Sequence, residues 1–223
     1  MRGLTKIKPA LLNNECYFRL KEAILTGDFS WGERLDVGKL AENFGISKFP
    51  VIKALDKLEI ERLVTILPNK GTFVASPTIR DVEEVTEIRV MLEDLAFTLA
   101  SKRDLPRLIA MLESNEQNKR WNFESFCKGH EVGEYLKYDR EFHFCLMACS
   151  ENQRIMSYYE VIRSQVELFF NKTFNQKNVK STLDNHRAII NLLKQNKIAK
   201  AREQLKEHLL HVHHTTLDSM GKA

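Results

Sequence analysis

Apolar positions divide the chain into two regimes. In the first third they form short helical stripes broken by turn residues. Leu20, Ala23 and Ile24 share a helical face with Tyr17, and Gly27 is placed to stop that helix. Asp36 can cap a short helix carrying Leu40, Ala41 and Phe44, closed by Gly45. Ser47 can cap the next, its side-chain oxygen accepting from an otherwise orphaned backbone N–H. Pro50 falls in that helix's first turn, where its missing N–H costs little, and Val51, Ala54, Leu55 and Leu58 follow at i, i+3, i+4, i+7. Two β-prone runs, Leu63–Leu67 and Thr72–Ser76, flank Pro68-Asn69-Lys70-Gly71 and predict a hairpin with a four-residue loop.

From Pro77 onward no strand signal is visible. Helical periodicity predicts helices over Asp81–Ser101, Leu105–Lys119, Tyr135–Cys149, Gln153–Phe174, Leu183–Gln195 and Ala199–Leu217. The first would carry Val85, Ile88, Leu92, Leu95 and Leu99 on one side. The fold class expected is mostly α. Residues 1–76 should form a winged helix-turn-helix and residues 77–223 an all-α antiparallel helical bundle, with the boundary at Pro77-Thr78-Ile79.

Composition sharpens this division. The 223 residues hold 34 Lys+Arg and 30 Asp+Glu, a net charge of +4 that is too small by itself to identify a nucleic-acid binder. Twelve of those cations and nine of the acids lie in the first 75 residues, so the basic excess leans to the N-terminal third. All seven histidines lie at or beyond His130. Four scattered cysteines (Cys16, Cys127, Cys145, Cys149) are too few for a disulfide scaffold. With no apolar run of membrane-span length and no apolar segment in Met1–Leu12, a soluble cytoplasmic protein is expected, with no membrane partner.

Outside the apolar face of the second helix-turn-helix helix stand Lys48, Phe49, Ile52, Lys53, Asp56 and Lys57. Cations on such a helix suit the major groove, where they meet phosphates and guanine acceptors. Lys70 and Gly71 at the hairpin tip suit a wing against the duplex, the Lys on phosphate and the Gly allowing close backbone approach. The competing view is a small helical domain with an ordinary solvated face. Residues 14–75 resemble the winged-helix domain of the GntR family of bacterial transcription regulators. The resemblance rests on Tyr17, Leu20, Ala23-Ile24, Gly27, Leu35, Leu40-Ala41, Phe44-Gly45-Ile46-Ser47, Pro50-Val51, Ala54-Leu55, Leu58-Glu59, Leu63-Val64 and Gly71-Thr72-Phe73-Val74. It implies binding to double-stranded DNA through Lys48, Phe49, Ile52, Lys53, Lys57, Lys70 and Gly71. Where the family usually has Arg-Thr after the Ser, this chain has Lys48-Phe49; where it has Arg-Glu after Pro-Val, Ile52-Lys53 stand; Arg62 replaces a usual Gly. Loss of an Arg fork removes a preferred guanine reader, so the usual operator sequence does not transfer.

In the C-terminal region Asp139 and His143 are one turn apart on a face shared with Leu136 and Met147. His186 shares a stripe with Ile189, Ile190 and Leu193, and His208 one with Ala201, Leu205 and Val212. Three imidazoles and a carboxylate thus lie on inward-looking stripes. A buried carboxylate needs a positive partner, and a divalent cation such as Zn²⁺ or Ni²⁺ would satisfy all four groups. A hydrogen-bonded Asp–His pair and separate core histidines are the alternatives.

Residues 80–215 resemble the FCD effector domain of the FadR subfamily of GntR regulators. The matching pieces are Ile88-Arg89 with Leu92-Glu93, Asp139-x-x-Phe142-His143, Ser150-Glu151-Asn152, His186-x-x-Ile189-Ile190, and Ala201 through His208-Leu209. The resemblance implies a divalent metal on Asp139, His143, His186 and His208, with a small carboxylate effector at its open positions. Arg89 is the candidate carboxylate clamp, against a salt bridge to a neighbouring Glu; Asn152 is a candidate effector contact, against a helix N-cap. Cys145 and Cys149 could offer thiolates, and His211, His213 and His214 further ligands, but a packed core and a solvated helix end account for them more simply.

The function expected is a metabolite-responsive transcription regulator, a homodimer on a palindromic operator and more often a repressor than an activator. The rivals are a metal-dependent hydrolase, against which stand the absence of a further acid/base residue, of a Gly-x-Ser-x-Gly elbow and of a P-loop, and a constitutive DNA-binding dimer without effector.

Overall fold

The computed structural model describes residues 9–117, 132–173 and 176–221. Cys127 and the expected helix ends at Lys119 and Phe174 lie outside them. The chain divides into two compact units between Ser76 and Pro77.

The first unit contains α1 (Pro9–Thr26), β1 (Arg34–Leu35), α2 (Val37–Phe44), α3 (Lys48–Ile60), β2 (Val64–Leu67) and β3 (Gly71–Val74). Its core draws on the expected stripes: Tyr17, Leu20 and Ile24 of α1 meet Val51, Ala54, Leu55 and Leu58 of α3, all almost wholly buried. Each large aliphatic among them contributes about 1.5–3 kcal/mol of hydrophobic stabilisation relative to exposure. Asp36 caps α2 by accepting from the N–H groups of Gly38 and Lys39, and Gly45 ends it in the left-handed conformation at φ 64°.

Three details differ from expectation. Ser47 occupies the N-cap position of α3 with extended backbone, yet its side chain makes no capping bond. Pro50 is the third residue of α3, so one of the two N–H groups an N-cap side chain normally reaches does not exist. The hairpin loop has three residues, Pro68 to Lys70, because Leu67 pairs with Gly71; Asn69 takes φ 60° to close it. The short β1 completes an antiparallel sheet in the order β1-β3-β2, with Arg34 opposite Phe73 and Leu35 opposite Thr72.

The second unit is helical throughout its described residues: α4 (Ile79–Arg103), α5 (Leu105–Gln117), α6 (Val132–Cys149), α7 (Gln153–Thr173), α8 (Gln176–Lys194) and α9 (Ile198–Met220). Thr78 starts α4 with a capping box: its hydroxyl accepts from Asp81 N–H, and the Asp81 carboxylate accepts from Thr78 N–H. α6 packs on α4 and α5, and α9 packs on both α4 and α8. α8 and α9 are antiparallel neighbours joined by a tight turn, in which the N–H groups of Asn196 and Lys197 return to the carbonyls of Leu193 and Leu192.

The expected stripe on α4 is corrected. Val85 and Leu92 are buried, but Ile88 and Leu95 face outward. The inward face is Val82, Val85, Arg89, Leu92, Glu93, Ala96, Phe97 and Ala100. Two ionic side chains hold core positions that the sequence pattern assigned to leucine and isoleucine.

Candidate metal centre and nucleic-acid face

Asp139 and His143 come from α6, His186 from α8 and His208 from α9. Their ligand atoms all lie within 4.8 Å of one another. His208 Nε2 is 3.3 Å from His186 Nε2 and 3.4 Å from His143 Nε2. Asp139 Oδ1 is 3.7 Å from His186 Nε2 and 3.9 Å from His143 Nε2. Tetrahedral bonds of about 2.0–2.2 Å from one cation would set neighbouring ligand atoms roughly 3.3–3.6 Å apart, so the histidine spacing already suits a shared ion. The turn between α8 and α9 brings His186 and His208 level. Phe142 stacks on the His186 ring, 3.6 Å between centroids and 4° from parallel, which fixes that ring's plane.

The histidines are at most 1% exposed, while Asp139 keeps 20% of its side chain accessible. Burial holds the pKa of His186 and His208 well below the ordinary imidazole value, and neighbouring imidazoles push the same way. Both rings therefore stay neutral, the form that ligates metal. Burial raises the Asp139 pKa, against the pull of His143 and Arg89.

Around the cluster lies a support that motif reasoning did not assign. Glu93 Oε2 sits 2.6 Å from His143 Nδ1, and Arg89 Nε donates to Glu93 Oε1 at 2.7 Å. Burial would raise the Glu93 pKa, but the charges of His143 and Arg89 outweigh it and bring it down to about 2. An ionised Glu93 takes the Nδ1 proton of His143 as a hydrogen bond, the usual carboxylate support of a ligating histidine, and leaves Nε2 unprotonated, where it accepts from Arg89. The signal available in the sequence was Arg89 and Glu93 one helical turn apart, on the helix face that also carries Val85, Leu92 and Ala96.

Arg89 also reaches His143: its Nη2 is 3.0 Å from His143 Nε2. The neighbouring-Glu salt bridge is thus present, and the guanidinium stands at the edge of the cluster, 5% exposed. Asn152 caps α7, its Oδ1 accepting from the N–H groups of Arg154 and Ile155; no contact joins it to the cluster among the described residues. His211 contacts Ser181, and His213 contacts Thr86. Cys145 and Cys149 are buried free thiols, and burial pushes Cys145 up to about 12.

On the first unit, Lys48, Phe49, Ile52, Lys53 and Lys57 are all exposed along α3, and Lys70 is exposed on the hairpin loop. Lys53 pairs with Asp56 at 2.9 Å, an exposed pair of little energetic weight. Lys57 is less free, its ammonium lying 3.6 Å from the Tyr17 ring centroid. Gly71 has φ 115°, and a Cβ there would come 3.1 Å from Arg34 Nε. Gly71 therefore makes room for Arg34, an exposed cation on β1 that the sequence pattern did not single out.

The chain thus joins a winged helix with an exposed cationic helix to a helical unit enclosing an Asp/His cluster. Residues 12–74 match the gntR family of bacterial regulatory proteins and residues 84–211 match the FCD domain. The chain belongs to the GntR family with an FCD domain, a family of transcription regulators and not of enzymes. It is 29% identical over 214 residues to the uncharacterized HTH-type transcriptional regulator YdhC of Bacillus subtilis, covering 93% of this chain and 90% of YdhC. It is 31% identical over 140 residues to the Nta operon transcriptional regulator of Aminobacter aminovorans, covering 62% of this chain and 63% of that one. The crystal structure of a putative GntR regulator from Rhodococcus sp. RHA1 shares the fold at TM-score 0.77 and 22% identity, covering 92% and 97% of the two chains. No helix among the described residues is long and apolar enough to cross a membrane.

Proposed function

We propose that the protein is a cytoplasmic, metabolite-responsive repressor. Two copies bind a palindromic operator, each setting α3 into the major groove and the hairpin along the backbone. Asp139, His143, His186 and His208 hold a divalent cation, zinc or nickel. The cation supplies open coordination positions for a small carboxylate effector, and Arg89 completes the effector's site because its fork matches a carboxylate with two parallel hydrogen bonds. The observation that carries this reading is the convergence of the four ligand atoms within 4.8 Å, in the chain that also carries the winged helix.

Glu93 neutralises and positions the Arg89 guanidinium and holds His143 in its ligating tautomer. Effector binding shifts the population between dimer arrangements, by no more than the effector's differential affinity for them. The test is selection of genomic fragments by the purified protein, then anisotropy titration of the selected operator with zinc or nickel and a panel of small carboxylic acids. One acid should lower operator affinity by roughly 5–150-fold in the metal-loaded protein only. Equal operator affinity across metals and acids, with no metal bound at stoichiometry, would overturn the effector and metal parts; failure to enrich any fragment would overturn the regulator.

A further inference from the structure

α3 carries an apolar pair near its N-terminus. Phe49 and Ile52 are its second and fifth residues, three apart and so on one face. They are 60% and 43% exposed, while Pro50 and Val51 between them are buried. In a helix set into the major groove, the N-terminal residues are the ones that reach base edges. Neither of these two side chains has a hydrogen-bonding group.

The cations of α3 are held to the sides of this pair. The end of Lys48 lies against α2, where a Cβ on Gly38 would come 3.8 Å from its Cε and 4.0 Å from its Nζ. Lys53 is held by Asp56 at 2.9 Å and lies 5.8 Å from the Phe49 ring centroid. Lys57 sits over the Tyr17 ring. α3 has no arginine, the side chain whose fork fits guanine in two parallel hydrogen bonds. The three lysines flank the pair as point charges suited to phosphates, and Phe49 and Ile52 are left to meet the bases.

We infer that Phe49 and Ile52 read thymine through its C5 methyl group, one thymine to each side chain in each half of the operator. Thymine is the one base that shows an apolar group in the major groove. Against guanine or cytosine the same side chains would cover acceptors or an amino group without replacing the hydrogen bonds those make to water. The preference is therefore built both by attraction to one base and by a penalty at the others. The surroundings identify the occupant as nucleic acid rather than an apolar protein surface: Lys48, Lys53, Lys57, Lys70 of the hairpin and Arg34 of β1 are all exposed, and a polyanion with methyl groups between its phosphate rows fits an apolar pair with cations beside it. This inference rests on the operator binding proposed above and deepens it, assigning the sequence preference of the helix to methyl groups.

The experiment uses the full-length protein and the duplex it selects from a random-sequence library. In that duplex each thymine is replaced in turn by deoxyuridine, which pairs identically and lacks only the methyl. Anisotropy titration should find one or two positions per half-site where each lost methyl weakens binding about fourfold, the effect of one buried carbon. Phe49→Ala and Ile52→Ala should bind the thymine duplex more weakly, and each should lose the discrimination at one position. Both residues are exposed, so the variants keep their fold, with circular dichroism as the control. A wild-type protein that binds every deoxyuridine duplex as tightly as the parent would overturn thymine reading and leave the regulator standing. Sensitive positions that stay equally sensitive in both variants would show that other groups read the methyls and overturn the assignment to Phe49 and Ile52. Selection of no duplex at all would overturn operator binding itself.

Discussion

Glu93 is completely buried and ionised, and two partners make that tolerable. Arg89 supplies the opposite charge and His143 a proton donor, so the carboxylate sits in a three-member network that includes one member of the Asp/His cluster. Replacing it with Gln keeps the shape and removes the charge. The amide can still accept from His143 or from Arg89, but it no longer fixes the imidazole tautomer by charge, and Arg89 is left as a buried cation with weaker compensation. Loss of a carboxylate behind a ligating histidine typically costs 10–100-fold in metal affinity, and stranding a buried partner costs about 3–5 kcal/mol. Glu93→Gln should therefore bind zinc roughly 10–100-fold more weakly in competition with a chromophoric chelator, and melt at lower temperature without metal. Unchanged affinity would remove Glu93 from the support of the site.

At the level of helices and strands, the stretches that were legible were those where one local rule decides. Asp36 and Gly45 bracket α2 because a cap oxygen and a left-handed residue are local requirements, met by side chains within three positions. α3 and the hairpin followed from period and turn chemistry in the same way. The Asp/His set was legible for a related reason: each member sat on a stripe whose other members were apolar. Arg89 and Glu93 were not legible as core, because periodicity treats charge as surface and Ile88 and Leu95 offered a better apolar line along α4. Arg89 and His143 together make a buried carboxylate tolerable there, and His143 lies 50 residues later in the chain, beyond any local pattern. The wing shows a similar limit. Arg34, from a strand 37 residues earlier, takes the space beside Gly71, and no residue near Gly71 in the chain announces it. Gly71→Ala should cost about 1–3 kcal/mol, since φ 115° is strained for alanine and its methyl would press on Arg34. Chemical denaturation would measure that loss. A variant as stable as wild type would mean that the hairpin adjusts at no cost.

Stability of the whole protein should report on the cluster even before an effector is known. In the metal-free protein His186 and His208 titrate well below the ordinary imidazole pKa, while in the unfolded chain they return to about 6.5. Below that pH the unfolded chain binds protons that the folded one refuses. The sign is then set: stability is complete above pH 6.5 and is lost as pH falls toward the folded values, by up to about 1.4 kcal/mol per pH unit for each histidine. Zinc acts on the same groups in the opposite direction, because it binds only neutral imidazoles. At a hundredfold excess over its dissociation constant it should add about 2.7 kcal/mol near neutrality, and less as the solution is acidified. Urea unfolding followed by circular dichroism, with and without zinc at pH 7.5 and 5.5, separates the two effects. The double variant His186→Gln/His208→Gln should lose both the acid sensitivity and the zinc increment. An increment that survives in that variant would place the metal somewhere other than between α6, α8 and α9. An acid sensitivity that survives alone would assign the pH dependence to other groups and leave the metal site where it is.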